Sequence, residues 1–197
     1  MRGQKHLVVL VGALALVATV LGWTASAAPT PKAAPNAPAA TTLSKAQVTT
    51  LDAKLAAVSR RAKVKPVRTA VNQLSWEGGN VVLTLPLPGE RKARARGEAR
   101  VATKAAACAY GYACLYEKAA YRGGRLSFKT CAFRYLSKYG WVNRTSSWKN
   151  NQTKGTYSTL QYWTGKNRAV LNATNAPSSV WYVGGPSDDR ADYIRVC

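Results

Sequence analysis

This chain has four cysteines, eight carboxylates and a single histidine with which to do thiol, acid–base or metal chemistry, and their positions exclude most of it. The histidine, His6, lies in an N-terminal segment that reads as a secretory signal. The remainder therefore holds no Ser-His-Asp or Cys-His pair and no His-ligated zinc site. Cys108, Cys114, Cys131 and Cys197 all fall in the last 90 residues. An even count in a small domain behind an export signal reads as two disulfides, not as nucleophiles. The same stretch has only Glu117, Asp188, Asp189 and Asp192 as carboxylates. A glycosidase needs a pair flanking the scissile bond. Here Glu117 stands at a strand end beside Lys118 and the aspartates crowd one loop, so solvated, salt-bridging roles are the better reading. No enzyme is expected.

The elements that position these residues follow from aromatic content and turn signals. All ten Tyr, both Phe and four of the six Trp lie in 108–197, while 28–107 holds only Trp76. Large aromatic side chains dominate burial, which places the packed domain at 108–197. Short β-type runs there, separated by turns, predict strands at 113–117, 125–130, 146–149, 157–162, 168–171, 180–182 and 193–196. The stretch 115–128 can be laid on 161–172, and 142–150 on 188–196. Each half then reads as strand, tight hairpin, strand, long return and polar loop before a last strand. Two such halves predict an all-β double Greek key, two small sheets packed face to face.

Upstream, residues 1–27 have a basic start, an apolar run from Leu7 to Leu21 and small residues at Ala25-Ser26-Ala27. That is the pattern of a signal peptide, with export as the expected fate. The run is too short for a comfortable membrane span, so no stable insertion is expected; a retained anchor is the weaker alternative. Residues 28–43 form an Ala/Pro-rich linker. In 44–87, Val48, Leu51, Leu55 and Val58 recur at helical spacing behind Ser44 or Thr42 as N-cap, with an end near Arg60-Arg61. A β-hairpin follows, turning at Glu77-Gly78-Gly79-Asn80. This helix plus hairpin could be a pro-region, an accessory domain or a spacer. Residues 88–107 are basic with no apolar period and read as a flexible linker. The net charge of +21 suits anionic surfaces and acidic proteins, although solubility alone accounts for it equally well.

The region 108–197 resembles the βγ-crystallin-like proteins, and among them the secreted actinobacterial family of the streptomycete metalloproteinase inhibitor. The resemblance rests on CAYGYACLYE, the hairpin from Tyr116 to Gly123, YGWVNRTSSWKN with Ser146 and Ser147, and the closing DDRADYIRV. Tyr116 should cover a folded-over hairpin whose bend needs glycine. The second half keeps Tyr162 but has Ala169 at the corresponding bend, so its hairpin should be shortened. Four cysteines allow three pairings. The favoured one is Cys108–Cys114, as the family's similar Cys-x5-Cys loop implies, with Cys131–Cys197 tying the first half to the C-terminus. Crystallin-type calcium loops would lie at 142–147 and 188–193. Val142, Asp192 and Tyr193 depart from that pattern, which leaves Asp188, Asp189, Asp192 and Asn143 as oxygen donors. An acidic turn paired with Arg190 or Arg195 accounts for the same residues, so no cofactor is expected and calcium is the alternative.

The resemblance implies a secreted, monomeric inhibitor of extracellular proteases, metalloproteases first, acting through a rigid exposed loop. Three loops qualify: Lys118, Tyr121 and Arg122; Gly140, Trp141 and Asn143; Gly184 and Gly185. The alternative is a carbohydrate- or cell-wall-binding module, with an antimicrobial role as one outcome. Its aromatic candidates are Trp141, Trp148, Trp163, Trp181, Tyr135 and Tyr139, with core packing favoured for Trp148, Trp163 and Tyr116. No nucleic-acid partner is expected, since no dense basic helix or known motif is present.

Overall fold

A computed structural model describes residues 42–94 and 108–197; the expected signal peptide, almost all of the Ala/Pro-rich linker and residues 95–107 lie outside them. The chain first forms α1 (Lys45–Arg61), then β1 (Val67–Ala70), β2 (Gln73–Trp76) and β3 (Val81–Thr84). The eight following strands are β4 (Tyr112–Lys118), β5 (Arg122–Phe128), β6 (Ala132–Tyr135), β7 (Ser147–Asn151), β8 (Tyr157–Trp163), β9 (Arg168–Asn175), β10 (Ser178–Val180) and β11 (Tyr193–Val196). Every ladder between them is antiparallel.

The strand order defines the architecture. One sheet runs β1-β2-β3-β5-β4-β7-β10 and the other β6-β11-β8-β9. Strands β4–β7 form one Greek key and β8–β11 a second, and each lends its third strand, β6 or β10, to the sheet of the other. Neither half can therefore close its own sheet. The all-β double Greek key expected from the internal repeat is the fold. Between the sheets lie the largest buried side chains, Trp141, Trp148, Tyr139, Phe128, Leu115, Leu126, Leu160 and Ile194 among them.

Several strands differ from expectation: β1 was not foreseen, β9 runs on to Asn175, and two others depart further. Residues 132–135 were not among the expected strands, although Phe133 and Tyr135 alternate with Arg134. Arg134 turns inward, toward Glu77, Tyr139 and Thr130, while its two aromatic neighbours face out. The strand expected at 180–182 ends instead at Val180, where the chain leaves the sheet and Trp181 is 65% exposed.

The helix and hairpin of the N-terminal part are built into this core. Ser44 caps α1 by accepting from the Gln47 N–H, and Gln47 Oε1 accepts from the Ser44 N–H, a reciprocal capping box. Leu51, Leu55 and Val58 bury the apolar stripe in the same cluster as Leu115, Trp141 and Trp148. An isolated helix of this length is marginal in water, so docking is what holds it. Strand β3 adds to the free edge of β5 with Val81 opposite Phe128 and Leu83 opposite Leu126. The segment after β3 is pinned too: Gly123 donates its N–H to Arg91 O, Asn72 Nδ2 donates to Leu85 O and Arg94 O, and Ala93 is fully buried. The basic run thus follows the protein surface as far as Arg94, because the Gly123 N–H and the Asn72 side-chain amide take up its carbonyls.

Glu77 ties the N-terminal hairpin to the Greek keys. It accepts from the Tyr139 hydroxyl at 2.6 Å and pairs with Arg134. Burial pushes its carboxyl up, but the Tyr139 and Arg134 hydrogen bonds win and hold it below its ordinary value. A carboxylate depressed in the folded state contributes stability that is full above its unfolded pKa and is lost as pH falls through the folded one. Glu77→Gln should therefore cost about 1 kcal/mol at pH 7, the usual size for a charge-assisted pair partly in water. The difference from the native chain should shrink to nothing on acidification, as read by urea unfolding at a series of pH values.

Candidate functional site

The hairpin β4–β5 is folded back on its own sheet. Tyr116 is fully buried beneath it, edge-on to Tyr121 with ring centroids 5.5 Å apart, beside the Cys108–Cys114 disulfide. Burial, opposed by the nearby Arg125, pushes the Tyr116 hydroxyl up to about 12. The serine pair explains why the fold-over holds. Ser146 Oγ donates to Glu117 O, and Ser147 Oγ donates to Lys118 O while accepting from the Tyr121 N–H. At the bend Gly123 has φ +76°, and an added Cβ would lie 2.9 Å from Glu117 Cβ. Gly123→Ala should cost about 1–3 kcal/mol through left-handed strain plus this contact, measured by denaturant unfolding. In the second key the bend is a four-residue turn, with Trp163 opposite Arg168, and Ala169 sits inside the strand opposite Tyr162.

The three loops with the right composition for an inhibitor are placed differently from one another. In the first, Lys118 and Arg122 are exposed, but Tyr121 is half-buried under the Lys149 ammonium, 4.2 Å from the ring. Ala120 and Tyr121 both have positive φ, and Ala120 donates its N–H to Trp181 O. In the second, Gly140 and Trp141 are not exposed at all, which corrects the expectation. Gly140 lies under α1, where an added Cβ would meet Val58 O at 2.8 Å, and Trp141 is fully buried with its indole N–H on Thr145 Oγ1. Only Asn143 of that loop is exposed. In the third, Gly184 is half-buried and Gly185 opens a short helical turn with Pro186 exposed.

The two polar loops bind each other. Asn143 and Asp189, at matching positions of the two keys, both have positive φ; Asn143 donates its N–H to Ala191 O and Asp189 donates its N–H to Thr145 O. Burial, with the neighbouring Asp188 charge, raises the Asp189 carboxyl while Arg144 opposes. Asp192 is turned away from both, accepting from the Trp163 N–H at 2.8 Å. Among the described residues no three His, Cys, Asp or Glu side chains gather in a metal-binding arrangement. Of the four candidate oxygen donors, Asp192 is engaged at a strand end, whereas Asn143 and Asp189 pair their loops through backbone N–H groups and Asp188 Oδ1 is buried without a hydrogen-bond partner. Neither Arg190 nor Arg195 pairs with them: Arg190 donates to Pro186 O and lies over the Tyr162 ring.

Sequence reasoning named Tyr135 and Trp163 as aromatic candidates but missed the surface that joins them, the outer face of the second sheet. Ile194 and Val196 point inward and are fully buried, so Tyr193 and Arg195 point out. Register then puts Phe133 and Tyr135 of β6, Gln161 and Trp163 of β8, and Arg168 and Val170 of β9 on the same side. Phe133, Tyr135 and Tyr193 form a mutually packed triad, with centroids 5.4–5.6 Å apart. The Arg168 guanidinium lies 4.5 Å over Phe133, and the Lys138 ammonium 6.0 Å from Tyr135. Tyr135 and Trp163 are 48% and 50% exposed, against the core position expected for Trp163. Trp148, Trp141 and Tyr139, by contrast, are core. None of β6, β8, β9 and β11 carries an Asp or Glu. The face is therefore aromatic and cationic together. The signal for it was present as Phe133 and Tyr135 two positions apart, hidden because their strand was not foreseen.

Comparison with known proteins adds little beyond the fold. No family model matches the sequence, and no curated protein matches it. Two solved structures are similar, a single mutant and a double mutant of a βγ-crystallin domain from Clostridium beijerinckii. They are 16% and 19% identical, with TM-scores of 0.36 and 0.33. Each covers 43% of this chain, over 95% and 93% of the respective domain. The antiparallel double Greek key of this chain is βγ-crystallin-like in fold. Nothing in these comparisons points to the metalloproteinase inhibitor family.

Proposed function

We propose that this chain is an exported, monomeric binding module that engages anionic cell-surface polysaccharide through the outer face of its second sheet. The supporting observation is the carboxylate-free triad Phe133, Tyr135 and Tyr193, flanked by Trp163, Arg168, Arg195 and Lys138. Aromatic faces stack on the apolar faces of sugar rings, and guanidinium groups pair with their acidic substituents. An open sheet face suits an extended polymer better than a small molecule. The two disulfides are in keeping with an oxidising compartment, and no described helix is long and apolar enough to cross a membrane. We assign no catalytic role: Glu77, Glu117 and Asp192 are each engaged in hydrogen bonds or ion pairs that hold the fold. The test is co-sedimentation with cell-wall sacculi carrying their acidic polymers, against chitin, in 0.15 M salt. Retention on the sacculi and not on chitin is expected; equal or no retention would end this reading.

Protease inhibition is the second reading, and one observation favours it. The tip between β8 and β9 is exposed throughout and pre-ordered, with Thr164 Oγ1 donating toward Asn167 O and accepting from the Lys166 and Asn167 N–H groups. A rigid exposed turn can enter a cleft with little entropy left to lose. A panel of metallo-, serine and cysteine proteases decides it, with sub-micromolar inhibition expected if this reading holds.

A further inference from the structure

A cleft of about 820 Å3 opens where the C-terminal half of α1, the strap at Glu90 and Arg91 and the folded β4–β5 hairpin meet. Its floor is apolar, made by Ala57, Val58, Leu85 and Pro86. Its walls are cationic: Lys54 and Arg61 come from the helix, Arg91 from the strap, Lys118 and Arg122 from the hairpin, and Arg144 from the loop before β7. Two carboxylates share the lining; each is ion-paired, although Glu90 Oε2 has no hydrogen-bond partner. Glu117 pairs with Arg144 and accepts from the Gly124 N–H, and Glu90 is held by Arg94 through Oε1. The other five cations have no carboxylate partner among the described residues. Burial first, then the Arg144 and Arg60 charges, lower the Arg61 pKa, with Glu117 opposing. Gathering uncompensated cations around an open cleft is unfavourable for the chain alone and favourable once an anion completes it.

We infer that this cleft is a binding site for a phosphorylated ligand presenting at least two anionic groups. Guanidinium forks match phosphoryl oxygens bidentately, and the volume is that of an ordinary ligand pocket. The apolar floor suits the carbon skeleton between or beside the phosphoryl groups. The cleft shares no residue with the aromatic face of the second sheet, so the two sites stand or fall separately.

Calorimetric titration of the intact chain in 0.15 M salt tests it, with inorganic pyrophosphate and a glycerol-phosphate oligomer as probes. Both should bind, and tighter binding of the oligomer would assign the source to a polymer, tighter binding of pyrophosphate to a free phosphate compound. The double variant Arg61→Gln/Arg91→Gln should weaken binding at least tenfold. Lys129→Gln/Lys154→Gln, which removes the same charge from exposed positions outside the cleft, should change it less than twofold. Without ligand, the arginine variant should melt no lower than the native chain, since it relieves crowding. Binding of neither probe, equal losses in the two variants, or a clear fall in the ligand-free melting point would overturn the assignment.

Discussion

Replacing Cys131 and Cys197 together by alanine should lower the unfolding free energy by about 4 kcal/mol, the loop-closure contribution for a crosslink spanning 66 positions. The prediction is clean because both residues are exposed, so little packing is lost with the sulfur atoms. Cys131 immediately precedes β6 and Cys197 immediately follows β11, whose ladder ends with Val196 opposite Ala132. The crosslink thus closes a pair that the sheet already brings together, and its effect falls on the unfolded chain. Urea unfolding should show a lower midpoint and a steeper slope, because the freed chain exposes more surface when it unfolds. A loss below 1 kcal/mol would mean that the unfolded state stays compact around this pair. The Cys108–Cys114 loop, six positions long, has a loop term of only about 2 kcal/mol.

The second large effect is on binding. Tyr135 and Trp163 stand half-exposed at the two sides of the outer face, and each should contribute about 1–2 kcal/mol to holding a polysaccharide, the scale of an aromatic anchor. Tyr135→Ala or Trp163→Ala should then weaken binding by about tenfold, and the double variant by about a hundredfold. Stability should hardly change for Trp163→Ala, because that ring contributes nothing to the core between the sheets. Tyr135→Ala loses two edge contacts, with Phe133 and Tyr193, and should cost about 0.5–1 kcal/mol. Arg168→Gln should weaken binding and reduce its dependence on salt, since screening acts on the charged part of the contact alone.

How far the chain could be read in advance differs between fold and site. The helix was legible because Leu51, Leu55 and Val58 keep a strict spacing behind Ser44, and tertiary packing uses that same stripe. The repeat was legible because both keys begin with an aromatic hairpin and close with a polar loop. What could not be read was partnership between distant segments. Nothing local to 81–84 says that it will extend the sheet at β5, and nothing local to 88–94 says that the Asn72 side-chain amide and the Gly123 N–H will take up its carbonyls. The site was harder for the same reason. Gly140 and Trp141 have the composition of a loop tip, but α1 covers them, and that cover arrives from 80 positions upstream. Trp163 reads as core by type, and only its register opposite Arg168, beyond an outward-facing Tyr193, places it in solvent.

The aromatic face is the centre of this account, and titration of a soluble uronic-acid polysaccharide into the native chain and into Tyr135→Ala/Trp163→Ala tests it most directly. Binding to the native chain in 0.15 M salt, reduced about a hundredfold in the double variant with folding intact, is the predicted result. Equal affinity in both chains would show that net charge alone draws the polymer, and would contradict the assignment.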